Sequence, residues 1–275
     1  MPELPEVESI RRTLEPLVRG RRFTAVRVLS PHCLGAPPAP EAFAAALAGR
    51  RVAGLRRRGK YLLFDLEGDG LLAVHLRMTG QLYFVPEGTP AEGNGHLHAV
   101  LALEGGGELR FRDVRKFGRL WAAAGEEELP PGYRRLGPDP LAEGFTAELL
   151  RRALAGRRAV KAVLTDQAVL SGVGNIYADE ALFLAGVHPA RAASSLDDGE
   201  VARLRDALRQ VLEEAVAAGG TTFSDYRDGL GRPGGYAHAL RVYKKEGQPC
   251  PRCGALIVKA RVGGRSARFC PRCQR

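Results

Sequence analysis

The chain has 275 residues, 45% of them hydrophobic, with 41 Lys or Arg against 31 Asp or Glu and a formal net charge of +10. That length and apolar content allow a sizeable core and two domains. No apolar run approaches the length of a membrane span and no charged-then-apolar leader opens the chain, which leads us to expect an intracellular protein without a membrane partner.

The first informative stretch is Pro2-Glu3-Leu4-Pro5-Glu6. Excision of Met1, which a small second residue such as proline permits, would expose a secondary amine. With an α-amino pKa of roughly 7.7–8.0, a usable fraction of such an amine is neutral and nucleophilic near pH 7. Leu4, Val7, Ile10, Leu14 and Leu17 recur at helical spacing, and Pro5, Glu6 and Glu8 suit the first turn of a helix. An amine there could attack a sugar or carbonyl carbon to give a Schiff base, with Glu3 placed to move the proton. The same residues also make an ordinary helix start with acidic first-turn residues.

Short apolar or alternating runs then predict strands at Phe23–Leu29, Val52–Leu55, Tyr61–Leu66, Leu71–Leu76, Gln81–Val85, Ala99–Leu103 and Glu108–Phe111. Glycine-rich turns at 68–70 and 105–107 separate successive pairs, and two packed sheets fit the spacing. Pro130-Pro131-Gly132 and Gly137-Pro138-Asp139-Pro140 mark a linker. Helices are predicted from Ala147 to Ala155, from Val160 to Leu164 or beyond, and from Ser195 to the stop at Gly219-Gly220. Between them, Gly172-Val173-Gly174-Asn175 allows a tight turn with Asn175 as a cap, whose backbone N–H groups can hold a phosphate. A plain connection between helices is the alternative. The domain limits read from these shifts are 1–133, a linker over 134–146, a helical domain over 147–235 and a terminal module over 236–275.

Residues 221–275 hold twelve Lys or Arg and three acids, so the tail carries nearly the whole positive excess. Such clustering is the footprint of a polyanion-binding face; a solvated basic tail is the bland alternative. Within it, Cys250-Pro251-Arg252-Cys253 and Cys270-Pro271-Arg272-Cys273 place four thiolates around one tetrahedral ion, which predicts one structural Zn2+. Two disulfides compete with this reading but need an oxidising compartment. Strands around Leu256–Val258 and Ala267–Phe269, turning at Gly263-Gly264, make the finger a β-hairpin. Cys33 is expected only to pack.

Taken in order, Pro2–Glu8, Arg58–Leu63, His75–Gly80, Asp113–Gly118, Leu136–Leu141, Gly172–Tyr177 and the four-cysteine finger resemble the bacterial formamidopyrimidine-DNA glycosylases, repair enzymes that excise 8-oxoguanine and ring-opened purines. The resemblance spans almost the whole chain. It implies an α+β fold: a β-sandwich with an N-terminal helix, then a helix–two-turn–helix domain with a C-terminal β-hairpin zinc finger. It also implies a glycosylase and lyase in one, acting as a monomer in the bacterial cytoplasm, at the nucleoid, on double-stranded DNA containing oxidised purines.

By the same resemblance, Pro2 attacks C1′ of the damaged nucleoside, Glu3 is general acid and base, Lys60 holds the adjacent phosphate, and Glu6 lies near the lesion. Met78, Arg115 and Phe117 fill the gap left by the extruded base, and Lys116 points toward the base opposite the lesion. His98, Asn175, Tyr177 and Arg265 grip phosphates, and the glycine-rich Thr221–Tyr236 segment closes over the purine. No soluble cofactor is implied. Some positions depart from the family pattern. Arg77 stands where glycine is common, Val114 and Lys116 replace proline and arginine, and Ser224 replaces a lysine of some relatives. Two rival readings remain at this level. One is the related endonuclease VIII class, which removes oxidised pyrimidines. The other is a zinc-ribbon DNA-binding protein without activity, which the joint presence of Pro2, Glu3 and Lys60 argues against.

Overall fold

The computed structural model of the protein describes residues 2–90, 93 and 95–275. They form two compact units. One holds the chain up to Arg134 together with Ala218–Gly235; the other holds Arg135–Ala217 and Tyr236–Arg275.

The first unit contains α1 (Leu4–Val18), β1 (Phe23–Val28), β2 (Leu34–Ala36), α2 (Pro40–Leu47), β3 (Val52–Arg58), β4 (Tyr61–Leu66), β5 (Leu71–His75), β6 (Gly80–Val85), β7 (Leu97–Leu103), β8 (Glu108–Asp113), β9 (Arg119–Ala123) and the single turn α3 (Pro131–Arg134). Two sheets form, in the orders β1-β7-β8-β6 and β2-β9-β5-β4-β3. Leu82, Leu101, Leu109 and Phe111 of the first face Leu62, Phe64, Leu72 and Val74 of the second in one core. The Phe23 and Phe64 rings, 6.4 Å apart, cross between the sheets. Val7, Ile10, Leu14 and Val18, the apolar stripe of α1, enter the same core. Strand β4 is buried on both faces, because Tyr61 turns the other way and meets Tyr133 edge-on at 5.1 Å.

All seven expected strands are present within a few residues of their predicted ends. No local sequence pattern marks β2, β9 or α2. Strand β2 pairs parallel to β9, a contact between segments more than eighty residues apart. Helix α2 begins at Pro40 inside a proline-rich run that reads as loop, and is held by burial of Phe43 and Leu47. A further difference concerns 218–235, grouped by sequence with the helices. Here it belongs to the sandwich unit: Phe84 N–H donates to the Gly229 carbonyl (2.8 Å), Gly229 N–H donates to Thr13 Oγ1 (3.0 Å), and Tyr226 lies in the sandwich core.

The second unit contains α4 (Ala147–Ala153), α5 (Val160–Leu164), α6 (Asn175–Ala185), α7 (Asp198–Ala217), β10 (Val258–Val262) and β11 (Arg265–Phe269). Thr146 caps α4 by accepting from Leu149 N–H at 3.1 Å. The hairpin pairs Val262 with Arg265 across Gly263-Gly264, whose φ values of +56° and +79° are those of a tight turn that glycine alone adopts without strain.

His75, at the end of β5, makes the stability of the sandwich unit sensitive to acid. Burial, with the Arg77 and Lys60 cations nearby, pushes its imidazole down to about 3, and its Nδ1 accepts the Arg77 N–H at 3.0 Å. The unfolded chain takes up this proton near pH 6.5 and the folded one only near pH 3. Stability should therefore fall as pH drops from 6.5 toward 3, by up to about 1.4 kcal/mol per pH unit from this group. Urea unfolding between pH 4.5 and 6.5 should show a shallower pH slope for His75→Asn; equal slopes would mean that His75 protonates in the fold.

Candidate active site

Every residue from Pro2 to Ile10 is buried. Glu3 is 3% exposed and Glu6 1%, and the two close a reciprocal capping box at the start of α1. Glu6 is shared between two segments. Its Oε2 accepts the Glu3 N–H and its Oε1 accepts the Thr221 N–H, both at 2.7 Å. The Tyr226 hydroxyl sits beside it, 3.2 Å from the Glu6 carbonyl and 3.0 Å from that of Gly219. Burial, reinforced by the Glu6 charge, drives this phenol far above its ordinary range, so it stays a neutral donor. One carboxylate thus joins the N-terminal turn to the root of the 218–235 loop.

Lys60 is buried in the two-residue turn between the paired Arg58 and Tyr61. Its turn is bound to α1 through Arg57, whose guanidinium donates to Glu8 Oε2 (3.2 Å) and to the Gly59 carbonyl (3.1 Å). Burial alone would raise the Glu8 carboxyl, but hydrogen bonds from Arg11 and Arg12 and the charge of Arg57 overcome it and hold it below its ordinary value. Pro2, Glu3, Glu6 and Lys60 therefore all belong to one unit, with the turn that bears Pro2 and the lysine turn fixed to the same helix. Met1 lies outside the described residues.

On two loops of this unit, apolar side chains stand in solvent: Met78 is 42% exposed, Val114 43% and Phe117 45%. Arg115 Nη1 lies 3.3 Å from Met78 Sδ, and its guanidinium stacks 4.6 Å over the Phe117 ring. The three expected gap-filling residues are brought together. Lys116 stands between two of them in left-handed backbone (φ +56°), and the planar cation within the cluster is Arg115.

His98 does not face outward. It is 2% exposed, with Nε2 bonded to the Asp113 carbonyl at 2.7 Å, so its ring serves the interior. His96, two residues earlier and passed over by the sequence reading, is partly exposed. Tyr177 is likewise fully buried, packed on Tyr236 at 6.1 Å. Cys33 packs in the core, where burial pushes its thiol up to about 12.

In the second unit Asn175 opens α6 behind Gly174, which takes the cap position predicted for Asn175, and its Oδ1 is buried without a hydrogen-bond partner. Gln167 holds the preceding turn through the Gly172 N–H (2.9 Å) and the Val173 carbonyl (2.7 Å). Arg265 is exposed at the start of β11. Its strand is anchored from below by residues that sequence reasoning missed. Fully buried Lys161 bonds Asp179 (2.6 Å) and the Ser266 carbonyl, while Asp179 also accepts the Arg268 N–H at 3.1 Å. Burial raises the Asp179 carboxyl to about 7 against the pull of Lys161. Adjacent Glu180 accepts the N–H groups of Arg241, Val242 and Tyr243 at 2.8–2.9 Å.

The cysteine sulfurs of 250, 253, 270 and 273 lie within 4.8 Å of one another, with pairs at 3.9 and 3.5 Å. A tetrahedron with metal–sulfur bonds of about 2.3 Å has edges of about 3.8 Å, so the donor set fits one zinc ion. Each knuckle adds a backbone N–H to sulfur at 3.4 Å, from Arg252 to Cys250 and from Cys273 to Cys270. With four thiolates the site is closed and structural. Arg252 fixes the first knuckle to the end of α6 by donating to the Phe183 and Leu184 carbonyls, both at 2.9 Å.

Residues 1–120 match the model of the formamidopyrimidine-DNA glycosylase N-terminal domain, 136–227 that of the same enzyme's H2TH domain, and 247–275 a zinc finger found in FPG and IleRS. The chain belongs to the formamidopyrimidine-DNA glycosylase family. The family's enzyme from Moorella thermoacetica is 53% identical over 263 residues, 95% of either chain. The MutM (FPG) protein of Thermus thermophilus matches in structure with a TM-score of 0.87 at 46% identity, over 99% of this chain and 98% of that one. A Lactococcus lactis FPG mutant, solved in complex with a DNA containing Fapy-dG, matches with a TM-score of 0.91 at 36% identity over both whole chains.

The finger's dependence on its metal is directly measurable. Cys250→Ser should lose zinc, and hydrogen exchange should show deprotected amides over 258–269 while β1 and β3–β9 stay protected. Retention of both metal and hairpin protection in this variant would refute the four-thiolate site.

Proposed function

We propose that this family member excises oxidised and ring-opened purines from double-stranded DNA and then cuts the strand at the resulting site. The observation that carries the reading is the burial of Pro2, Glu3, Glu6 and Lys60 in one unit: an ordinary helix start would leave its acids in water. Removal of Met1 frees the Pro2 amine. Its lone pair attacks C1′, the C1′–N bond to the base breaks and the amine proton is lost; the C1′–O4′ bond then opens, leaving an iminium at C1′ and a hydroxyl at C4′, with Glu3 taking up and returning the protons this requires. The imine acidifies the C2′ hydrogen, whose loss expels the 3′ phosphate by β-elimination; a further δ-elimination expels the 5′ phosphate. Lys60 supports these phosphate departures, and the chemistry calls for no soluble cofactor.

Met78, Arg115 and Phe117 fill the vacated stack, since a thioether, a planar cation and an aromatic ring can each replace a base. In this reading the orphaned partner base is read by the flat fork of Arg115 rather than by Lys116. The phosphate contact expected of His98 passes to His96, while Asn175 at the head of α6 and Arg265 on the finger serve the same end. All catalytic groups come from one chain, so a monomer suffices. Among the described residues no helix is long and apolar enough to cross a membrane.

Borohydride should trap a covalent complex with DNA containing 8-oxoguanine, and peptide mapping should place the adduct on Pro2. Glu3→Gln should keep lesion binding and lose base excision. A fully active preparation that retains Met1 throughout, as read by mass spectrometry, would end the proposed mechanism.

A further inference from the structure

The loop that carries Met78 and the loop that carries Arg115 and Phe117 meet at one carboxylate. Asp113, the last residue of β8, is fully buried. Its Oδ1 accepts the Thr79 hydroxyl at 2.5 Å and the Arg115 N–H at 3.1 Å, and its Oδ2 accepts the Gly118 N–H at 2.7 Å. Its own backbone is fixed as well, the N–H by the His96 carbonyl (2.9 Å) and the carbonyl by His98 Nε2 (2.7 Å). Gly118 is required for this approach: a Cβ there would lie 2.6 Å from the Phe111 ring and 3.2 Å from Asp113 Oδ2.

Both loops contain a residue held in left-handed backbone, Arg77 at φ +55° and Lys116 at φ +56°. Such conformations cost about 1–2 kcal/mol each for residues with a Cβ and persist only where neighbours hold them. The Met78 loop is held at one side by His75 Nδ1, which accepts the Arg77 N–H, and at the other by Thr79. Thr79 is the residue immediately after Met78, so its hydroxyl joins the methionine to the loop of the other two wedge residues. A hydroxyl donating to a carboxylate at this distance is a strong, charge-assisted bond.

We propose that the Thr79–Asp113 bond is a positioning tie that makes Met78, Arg115 and Phe117 enter the gap as one preformed body. This rests on the wedge reading given above. Methionine has three rotatable bonds, so a Met78 on an untied loop loses more freedom each time it replaces a base. The tie acts on extrusion of a stacked base and not on chemistry at an already vacant sugar.

The test uses the full-length protein and two single-turnover rates: excision of 8-oxoguanine from a duplex, and scission of an abasic site in a single-stranded oligonucleotide, where no gap has to be filled. Thr79→Val keeps the shape and removes the hydroxyl; Thr79→Ser keeps the hydroxyl. We expect T79V to slow duplex excision about tenfold, the effect of losing one hydrogen bond to a charged group. Single-strand scission should stay within about twofold, and T79S should restore excision. If T79V fails to fold by thermal melting, Thr79→Ala carries the same expectation. Met78→Ala is the control for the wedge itself. Slow excision by M78A with parental excision by T79V overturns the tie and leaves the wedge standing. Parental excision by both overturns the wedge reading and the tie with it. Equal losses of both rates in T79V, or no rescue by T79S, show a merely structural role and overturn the proposal.

Discussion

Taking an ionised carboxylate out of water costs several kcal/mol unless donors replace the lost solvation, and this constraint shapes every functional segment of the protein. Glu6, Asp113, Asp179 and Glu180 are each no more than 1% exposed. Glu6, Asp113 and Glu180 meet the requirement with backbone N–H groups drawn largely from irregular segments, and so fix those segments. Glu6 gathers the N–H groups of Glu3 and Thr221, Asp113 those of Arg115 and Gly118, and Glu180 those of three successive residues from Arg241. Asp179 holds Lys161 and the Arg268 N–H. Loops without a core of their own thereby acquire defined positions.

The same logic holds in each of the two units. In the sandwich unit the capping box fixes the turn that bears Pro2, Glu8 through Arg57 fixes the turn that bears Lys60, and Asp113 fixes the loops of Thr79 and Arg115. In the helical unit the buried charges lie under the finger. Lys161 and Asp179 support the strand that presents Arg265, and the zinc site with Arg252 secures the finger to the end of α6. The two units are thus each supported by their own set of buried charges.

Backbone strain is stored at Arg77, where the family resemblance implies a glycine: its φ of +55° lies in a region that glycine enters freely and arginine does not. The cost is borne locally, with the Arg77 N–H spent on a neutral His75 whose burial keeps it from protonating. The departures at Val114 and Ser224 have no such account in the structure.

Much of this protein is legible in its sequence. Period-two and period-3.6 apolar patterns locate the seven main strands, α1 and α7, and two Cys-x-x-Cys pairs define the metal site, because these features depend on neighbours close in the chain. Glycine pairs fix the finger's turn for the same reason. The motif residues Pro2, Glu3, Glu6 and Lys60 are recognisable by type and order alone. Burial and partnership are decided elsewhere. Nothing local distinguishes His98, locked onto a carbonyl inside the sandwich, from partly exposed His96 two positions before it. Strand β2 exists only because β9 lies beside it, and the 218–235 loop joins the sandwich through Glu6, Thr13 and Phe84, more than 140 residues distant in sequence. No local pattern marks Asp113, Asp179 and Glu180 as buried; the fold brings their donors around them. Sequence supplied the chemical groups and the local elements; only the tertiary structure decided which charges are buried, and a buried charge holds loops in place because it cannot be left unmet.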